Sequence, residues 1–328
     1  MYIGKLYWGT LSLKIVILDG YCLNHGDLSW EKFSSLGEVV LYSRTPYDKI
    51  VERMGDASIM ITNKCSIDKN IIDKLKNLKY VGVLATGYNN VDVDYARSKG
   101  IVVTNIPAYS TESVVQTVFG LIIELYSGIG YHDRTVKDGE WEKSPDFCYY
   151  RTGMSQMFGK TIGIVGAGRI GLRVAEVAKA FGMNVLLYSK SRHAKEDGFK
   201  YVETLNELYE KSDIVSLNCP LNATNERMIN KEALSRFKNS AILINTARGG
   251  LIDEEALADA LNSGKIKGAG VDVLSQEPAR GDNPLLKAQN IVITPHVAWA
   301  TVEARSSQME IAGNNLKAFL AGRPVNIV

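Results

Sequence analysis

Cysteine and histidine are scarce, four of each in 328 residues, and their spacing excludes more than their number does. Cys22, Cys65, Cys148 and Cys219 include no C-x-x-C pair. That pattern supplies neither a zinc knuckle nor a redox dithiol, and it reads as free thiols in a reducing compartment. His25, His132, His193 and His296 are equally dispersed, so no metal is expected. Charge of one sign is also lacking: 38 Lys and Arg face 36 Asp and Glu. That balance gives no reason to expect nucleic acid or a membrane as partner, although a local basic patch could serve one phosphate. No apolar run approaches the roughly 20 residues that span a bilayer. The longest, Val114 to Ile123, is interrupted by Gln116 and Thr117. Residues 1–13 lack the apolar core and cleavage site of a signal peptide, and they are read as an extension ahead of the first strand. A cytoplasmic protein is expected.

What the chain has is alternation. With 45% hydrophobic and 23% charged residues it can bury two cores of ordinary size. KIVILDG (14–20), VVLYS (39–43), SIMITN (58–63), YVGVLATG (80–87) and IVVTNI (101–106) have the apolar runs of strands. DLSWEKFSSLG, YDKIVERMG and DKNIIDKLKNL between them are helical in pattern, with Asp27 and Asp68 as N-caps. A helical pattern over 111–141, capped by Thr111, is apolar nearly all round at its centre. It should be buried, inside the chain or against a second subunit. Residues 144–160 have the composition of a surface connection. A second strand–helix series follows, with strands near 161–166, 184–189, 213–220, 241–247, 268–273 and 290–296 and a last helix at 301–322. Two such series predict an α/β protein with two doubly wound parallel sheets.

Gly166-Ala167-Gly168-Arg169-Ile170-Gly171 is a G-x-G-x-x-G. Such a spacing alone is common, but here it follows the strand Thr161 to Val165 and opens an amphipathic helix. In that context the first glycine permits a tight turn, the second lets backbone approach a pyrophosphate, and the third lets the helix pack closely. The helix N-terminus offers free N–H groups to the phosphate charge. A dinucleotide is therefore expected. The next strand ends Tyr188-Ser189-Lys190-Ser191-Arg192, without the carboxylate that usually holds the ribose hydroxyls of NAD. Lys190 and Arg192 could meet the 2′-phosphate of NADP, or they could be solvated loop cations.

Three later strands end in polar groups, and in an open parallel sheet such ends line the site. Asn245-Thr246-Ala247-Arg248-Gly249-Gly250 delivers an Arg suited to a carboxylate. Gly270-Val271-Asp272-Val273 puts an acid inside an apolar strand, and Glu277 precedes Pro278; each could be structural. Thr294-Pro295-His296 brings an imidazole, whose ordinary pKa of about 6.5 suits proton exchange. Glu277 is the candidate partner that would orient it.

GAGRIG, NTARGG, GVDVLSQEP and TPHVAWAT, in this order, resemble the D-isomer-specific 2-hydroxyacid dehydrogenase family. LDGYCLNHGDLSW, ATGYNNVD and NIPAYSTESVVQ resemble its glycerate dehydrogenase or hydroxypyruvate reductase branch. The resemblance implies an enzyme that uses NAD or NADP to interconvert a small 2-keto acid and its D-2-hydroxy acid. It implies Arg248 as the substrate-binding arginine, His296 as acid/base and Glu277 as its partner. It implies that backbone at Ala85, Thr86 and Gly87 receives the substrate carboxylate. Cys219, Pro220, Thr224, Thr246, Ala247, Asp272 and Ala298 would join Arg169, Ile170, Ser189, Lys190 and Arg192 around the cofactor. Ser189 departs from the Asp of NAD-using members.

The family's architecture would make 1–106 with 299–328 a flavodoxin-like substrate domain and 107–298 a Rossmann cofactor domain, in a homodimer. Trp141 is a candidate to reach the partner's site. D-lactate and phosphoglycerate dehydrogenases are rivals within the family, and a non-catalytic nucleotide-sensing protein is a rival outside enzymology.

Overall fold

The short apolar runs form strands and the amphipathic stretches between them form helices, as parallel sheets covered on both faces require. The computed structural model describes residues 13–190 and 198–328. The chain divides into two units, Met1–Ser110 with Ala300–Val328, and Thr111–Trp299. The extension at 1–12 and residues Ser191 and Arg192 lie outside the described residues.

In the first unit, β1 (Lys14–Ile17), β2 (Glu38–Leu41), β3 (Ile59–Thr62), β4 (Tyr80–Val83) and β5 (Val102–Thr104) pair in parallel. Their order, β2-β1-β3-β4-β5, is the flavodoxin-like winding. β3 and β4 are buried at every residue, whereas β2, at the edge, is buried at none. The Asp68 carboxylate caps the helix Lys69–Lys74 by accepting the Ile71 N–H at 3.0 Å. The last helix, Val302–Leu320, is capped by Thr301 and packs Phe319 against Tyr80, the rings tilted and their centres 4.8 Å apart.

Asp27 is not a cap. The helix expected from residue 27 onward shrinks to Glu31–Ser34, preceded by Trp30. The Asp27 carboxylate instead accepts two hydrogen bonds from Arg305, at 2.8 and 2.6 Å. Those bonds pull its pKa down to about 2. Arg305 also donates to the carbonyls of Leu23 and Ala300, so one guanidinium fastens the start of the last helix to the 23–27 loop. Local pattern favoured a cap at Asp27; a partner far along the chain took the carboxylate.

The second unit holds β6 (Thr161–Val165), β7 (Asn184–Tyr188), β8 (Lys200–Tyr201), β9 (Ile214–Leu217), β10 (Ile242–Asn245), β11 (Gly268–Val271) and β12 (Ile291–Ile293). They form one parallel sheet in the order β12-β11-β10-β9-β6-β7-β8. The winding reverses at β6, which has β7 on one side and β9 on the other. This is the Rossmann order, with its switch point at the end of β6.

The pattern over 111–141 forms not one helix but two, Thr111–Ser127 and Ile129–Lys137. Gly128 separates them at φ +62, and the axes bend by 57°. Thr111 is the first residue of its helix. The apolar face of Thr111–Ser127 packs on this unit's own sheet, which decides between the two covers left open by sequence. Gly268 and Gly270 make that approach possible: a Cβ on Gly270 would stand 2.9 Å from the Leu121 Cβ. Among the described residues no single helix is long and apolar enough to cross a membrane.

Candidate active site

The strands of the second unit end level. Val165 pairs with Tyr188 and Leu217, Leu217 with Asn245, Asn245 with Val271, and Val271 with Ile293. The next residue of each strand, Gly166, Ser189, Asn218, Thr246, Asp272 and Thr294, therefore emerges on one edge. That edge is the carboxyl end of a parallel sheet, where open α/β folds bind ligands.

The glycine turn is shaped by close approach. Gly166 has φ +103, and a Cβ there would stand 2.5 Å from the Asn218 carbonyl oxygen. A Cβ on Gly171 would stand 1.9 Å from the Gly166 oxygen, so only glycine lets the helix seat on the turn. Gly168 differs, because a Cβ there would meet nothing within 4 Å. It faces open space just before the helix Arg169–Ala180, whose first turn carries Arg169 and Ile170. The first turn of a helix carries unpaired N–H groups, the donors that a phosphate takes.

Beside the turn lies a cavity of about 390 Å³ lined by Gly166, Gly168, Ser189, Lys190, Cys219 and Thr224. Lys190 Nζ donates to Thr224 Oγ1 at 3.0 Å, and Thr224 Oγ1 donates to Asn222 Oδ1 at 2.7 Å. The end of β7 is thus tied to the loop after β9. Pro220 belongs to that loop, where its carbonyl accepts from Asn225 at 2.8 Å. Burial raises the Cys219 thiol's pKa, which suits a lining group rather than a nucleophile. A dinucleotide fits this wall: an open pyrophosphate approach at Gly168, a cavity beyond it, and a lysine with no carboxylate at the end of β7.

The other half of the edge carries titratable groups. Asn245, fully buried, builds the turn that presents Arg248: its Oδ1 accepts the Ala247 N–H at 3.0 Å and its Nδ2 donates to the Arg248 carbonyl at 2.9 Å. Thr246 and Ala247 are half-buried within this turn. The Arg248 side chain is exposed and, among the described residues, donates only to the Ala247 carbonyl. Among the described residues no carboxylate pairs with it. Gly249 lies so close to the next strand's loop that a Cβ would stand 1.9 Å from the Leu274 carbonyl carbon.

His296 Nδ1 lies 2.6 Å from Glu277 Oε2, and Glu277 Oε1 accepts the Leu274 N–H at 3.1 Å. With Glu277 ionised, Nδ1 is the protonated ring nitrogen of this pair. His296 has φ +55, a left-handed backbone that few residues other than glycine adopt. Asp272 holds it there. Asp272 does not lie inside β11, as expected, but just past its end, where it is 1% exposed. Its carboxylate accepts from Thr294 Oγ1 at 2.6 Å and from the N–H groups of Val297 and Ala298 at 2.9 Å each. Its carbonyl accepts the His296 N–H at 2.8 Å.

The family of the D-isomer-specific 2-hydroxyacid dehydrogenase NAD-binding domain matches residues 119–298. A hydroxypyruvate reductase of Blautia hydrogenotrophica is 47% identical over 321 residues, 96% of this chain and 99% of its own. This chain belongs to the D-isomer-specific 2-hydroxyacid dehydrogenase family. A glycerate dehydrogenase of Methylorubrum extorquens is 39% identical over 321 residues, 97% of this chain and 99% of its own. The structure of an NADPH-dependent glyoxylate/hydroxypyruvate reductase from Sinorhizobium meliloti, in complex with NADP and malonate, is 30% identical. It covers 97% of each chain with a TM-score of 0.82. The dehydrogenase is thus an oxidoreductase of CH–OH groups that uses NAD or NADP.

The dehydrogenase's Arg248, Glu277 and His296 share one edge with the glycine turn. Ala85, Thr86 and Gly87 stand in the first unit, past the carboxyl end of β4. Thr86 Oγ1 donates to the Ile106 carbonyl at 2.7 Å, and the Thr86 carbonyl accepts from Asn105 at 2.8 Å, so that loop is held at both groups. Trp141 is exposed, its indole N–H donating to the Phe147 carbonyl at 2.9 Å. Sequence reasoning missed the turn-building role of Asn245. Its signal was an Asn closing an apolar strand two residues before a small residue, a setting for a side-chain turn.

Proposed function

We propose that this dehydrogenase reduces hydroxypyruvate to D-glycerate and glyoxylate to glycolate, with NADPH accepted at least as well as NADH. One juxtaposition carries the reading: a Glu277-bound imidazole and a guanidinium that pairs with no carboxylate among the described residues share a sheet edge with the glycine turn. The relatives named hydroxypyruvate reductase and glycerate dehydrogenase support the substrate class. The second unit is the cofactor domain, and the first, carrying the 85–87 loop, is the substrate domain.

When bound, the nicotinamide supplies the hydride for reduction or takes it up in oxidation. Arg248 receives the substrate carboxylate, and its fork can form two parallel hydrogen bonds. Arg248 also stabilises negative charge as it develops on the carbonyl oxygen. His296 Nε2 donates a proton to that oxygen, and Glu277 stabilises the imidazolium from the Nδ1 side. In the oxidative direction the neutral ring takes the proton back at Nε2.

The basis for NADPH is the end of β7. Lys190, placed by Thr224, stands where a carboxylate would repel the 2′-phosphate, and Arg192 follows two residues later. The rates of NADH and NADPH oxidation with hydroxypyruvate, glyoxylate and pyruvate, measured in parallel, test both parts. The expected result is turnover of the first two substrates at least ~10-fold above pyruvate in kcat/KM, the range one small pocket contact supplies. A large NADH advantage would refute the cofactor preference. Tight nucleotide binding with no turnover of any keto acid would favour a nucleotide-sensing role instead.

The functional form we propose is a cytoplasmic homodimer. Free thiols suit a reducing compartment. Within the second unit Trp141, Phe147, Tyr150 and Phe158 are 53%, 90%, 72% and 71% exposed, a concentration of rings that a second copy of this chain would cover. Sedimentation should give twice the 36.1 kDa chain mass. Phe147→Asp combined with Phe158→Asp should shift it to the monomer. A wild-type chain that sediments as a monomer at micromolar concentration would refute the dimer.

A further inference from the structure

Glu277 sits on a loop that ought to be loose. Residues 275–282 are all exposed and belong to no helix or strand. Only the flanks are buried, at Leu274 and Asn283. Yet proton transfer requires the Glu277 carboxylate to stay on His296 Nδ1, and a solvated loop of this length has ample freedom to carry it away.

We propose that Glu254 is a positioning residue that closes this loop and so holds Glu277 against His296. The proposal rests on reading the His296–Glu277 couple as the acid–base pair.

Glu254 opens the helix Glu254–Asn262 and makes three hydrogen bonds, all to the loop. Its Oε1 accepts the Ser275 N–H at 2.7 Å. Its Oε2 accepts the Ser275 hydroxyl at 2.6 Å and the Asn283 Nδ2–H at 2.9 Å. One carboxylate therefore grips both ends of the loop, and the first of those ends is two residues before Glu277. Hydrogen bonds to an ionised acceptor are the strong kind.

The helix does not need Glu254 for its own cap, because Asp253 accepts the Ala256 N–H at 3.1 Å. Gly249 also lets the Arg248 turn press directly on the Leu274–Ser275 backbone. The loop is thus fixed by packing against Gly249 and by charge at Glu254. Asp272 lies beneath the 294–298 turn that carries His296. Arg280 and Asp282 pair with each other at 2.8 Å.

With the carboxylate of Glu254 removed, Ser275 and Asn283 are released and Glu277 spends less time on Nδ1. A nearby carboxylate favours the protonated imidazole, the form that donates the proton in keto-acid reduction. The defect should therefore grow with pH. The experiment compares Glu254→Gln, Glu254→Ala, Glu277→Gln and the double variant Glu254→Ala/Glu277→Gln, reading kcat/KM for hydroxypyruvate against pH and the Kd for NADPH. The expected result is a loss of about tenfold at alkaline pH for Glu254→Ala, the scale of one charge-assisted hydrogen bond. The alkaline limb should move to lower pH, and NADPH affinity should stay within about twofold of wild type. In the Glu277→Gln background the Glu254 substitution should add almost nothing, because its effect runs through Glu277.

Should Glu254→Ala fold poorly, Ser275→Ala removes only the hydroxyl contact and should move the same limb by less. Additive losses in the double variant, or an alkaline limb that moves for Glu277→Gln but not for the Glu254 and Ser275 variants, would overturn the proposal and leave the acid–base couple intact. A wild-type chain that turns over no keto acid would remove the underlying function instead.

Discussion

His296→Ala should lower kcat for keto-acid reduction by about 10²–10⁴-fold, the usual share of a positioned proton donor, while nucleotide affinity stays near that of the wild type. The separation follows from where the groups stand. The imidazole touches Glu277 through Nδ1, and the turn beneath it is held by other atoms. Asp272 keeps its bonds to Thr294, Val297 and Ala298 whatever side chain occupies position 296. The glycine turn at 166–171 lies at the end of a different strand. Alanine at φ +55 carries a backbone penalty of roughly 1–2 kcal/mol. His296→Asn is therefore the better companion, because Asn tolerates that conformation while offering no group that titrates near neutrality. Both variants should fail alike in kcat and bind NADPH alike. Near-normal turnover in either would refute His296 as the proton donor. A loss confined to Ala, with Asn active, would show that the backbone rather than the ring had been damaged.

The fold was largely legible because its signals are local. Apolar runs of four or five residues between amphipathic stretches have few solutions besides parallel strands under helices, and the glycine turn at the end of β6 marks the winding's reversal. The parts that were not legible depend on distant partners or on very short elements. β8 is two residues, Lys200–Tyr201, one exposed and one half-buried, too short to show a period. Gly128 breaks a pattern that remains helical on either side of it, and nothing local distinguishes a break there from a tolerated glycine such as Gly120, which stays inside its helix. Asp27 had the form of a cap until Arg305, far along the chain, claimed it. Within the site, sequence could name Arg248, Glu277 and His296 because each ends or follows a strand. It could not show that Asp272 spends its carboxylate on the turn carrying His296, nor that Glu254 reaches Ser275 and Asn283. Those are bonds between segments, invisible to any periodicity.

Arg248→Gln should reduce kcat/KM for hydroxypyruvate by about 10²–10³-fold, the cost of removing one donor aimed at developing negative charge. Stability should change by no more than about 0.5 kcal/mol, because the guanidinium is exposed and bonds the neighbouring Ala247 carbonyl. Asn245 holds the turn through the Arg248 carbonyl and the Ala247 N–H, which the substitution leaves in place. The variant should therefore fold and bind NADPH, and its defect should be specific to the substrate. Arg248→Lys divides that defect in two. Lysine restores the positive charge but not the planar fork, so a purely electrostatic role predicts recovery of most activity, whereas two-point recognition of a carboxylate predicts little. The chain itself argues for the second outcome: it spends a buried Asn on shaping this turn, and among the described residues no carboxylate pairs with the arginine. A guanidinium kept free at such a strand end is set for a carboxylate that arrives from solution. If Arg248→Gln retained wild-type kcat/KM, the substrate's carboxylate would have to be bound by other groups.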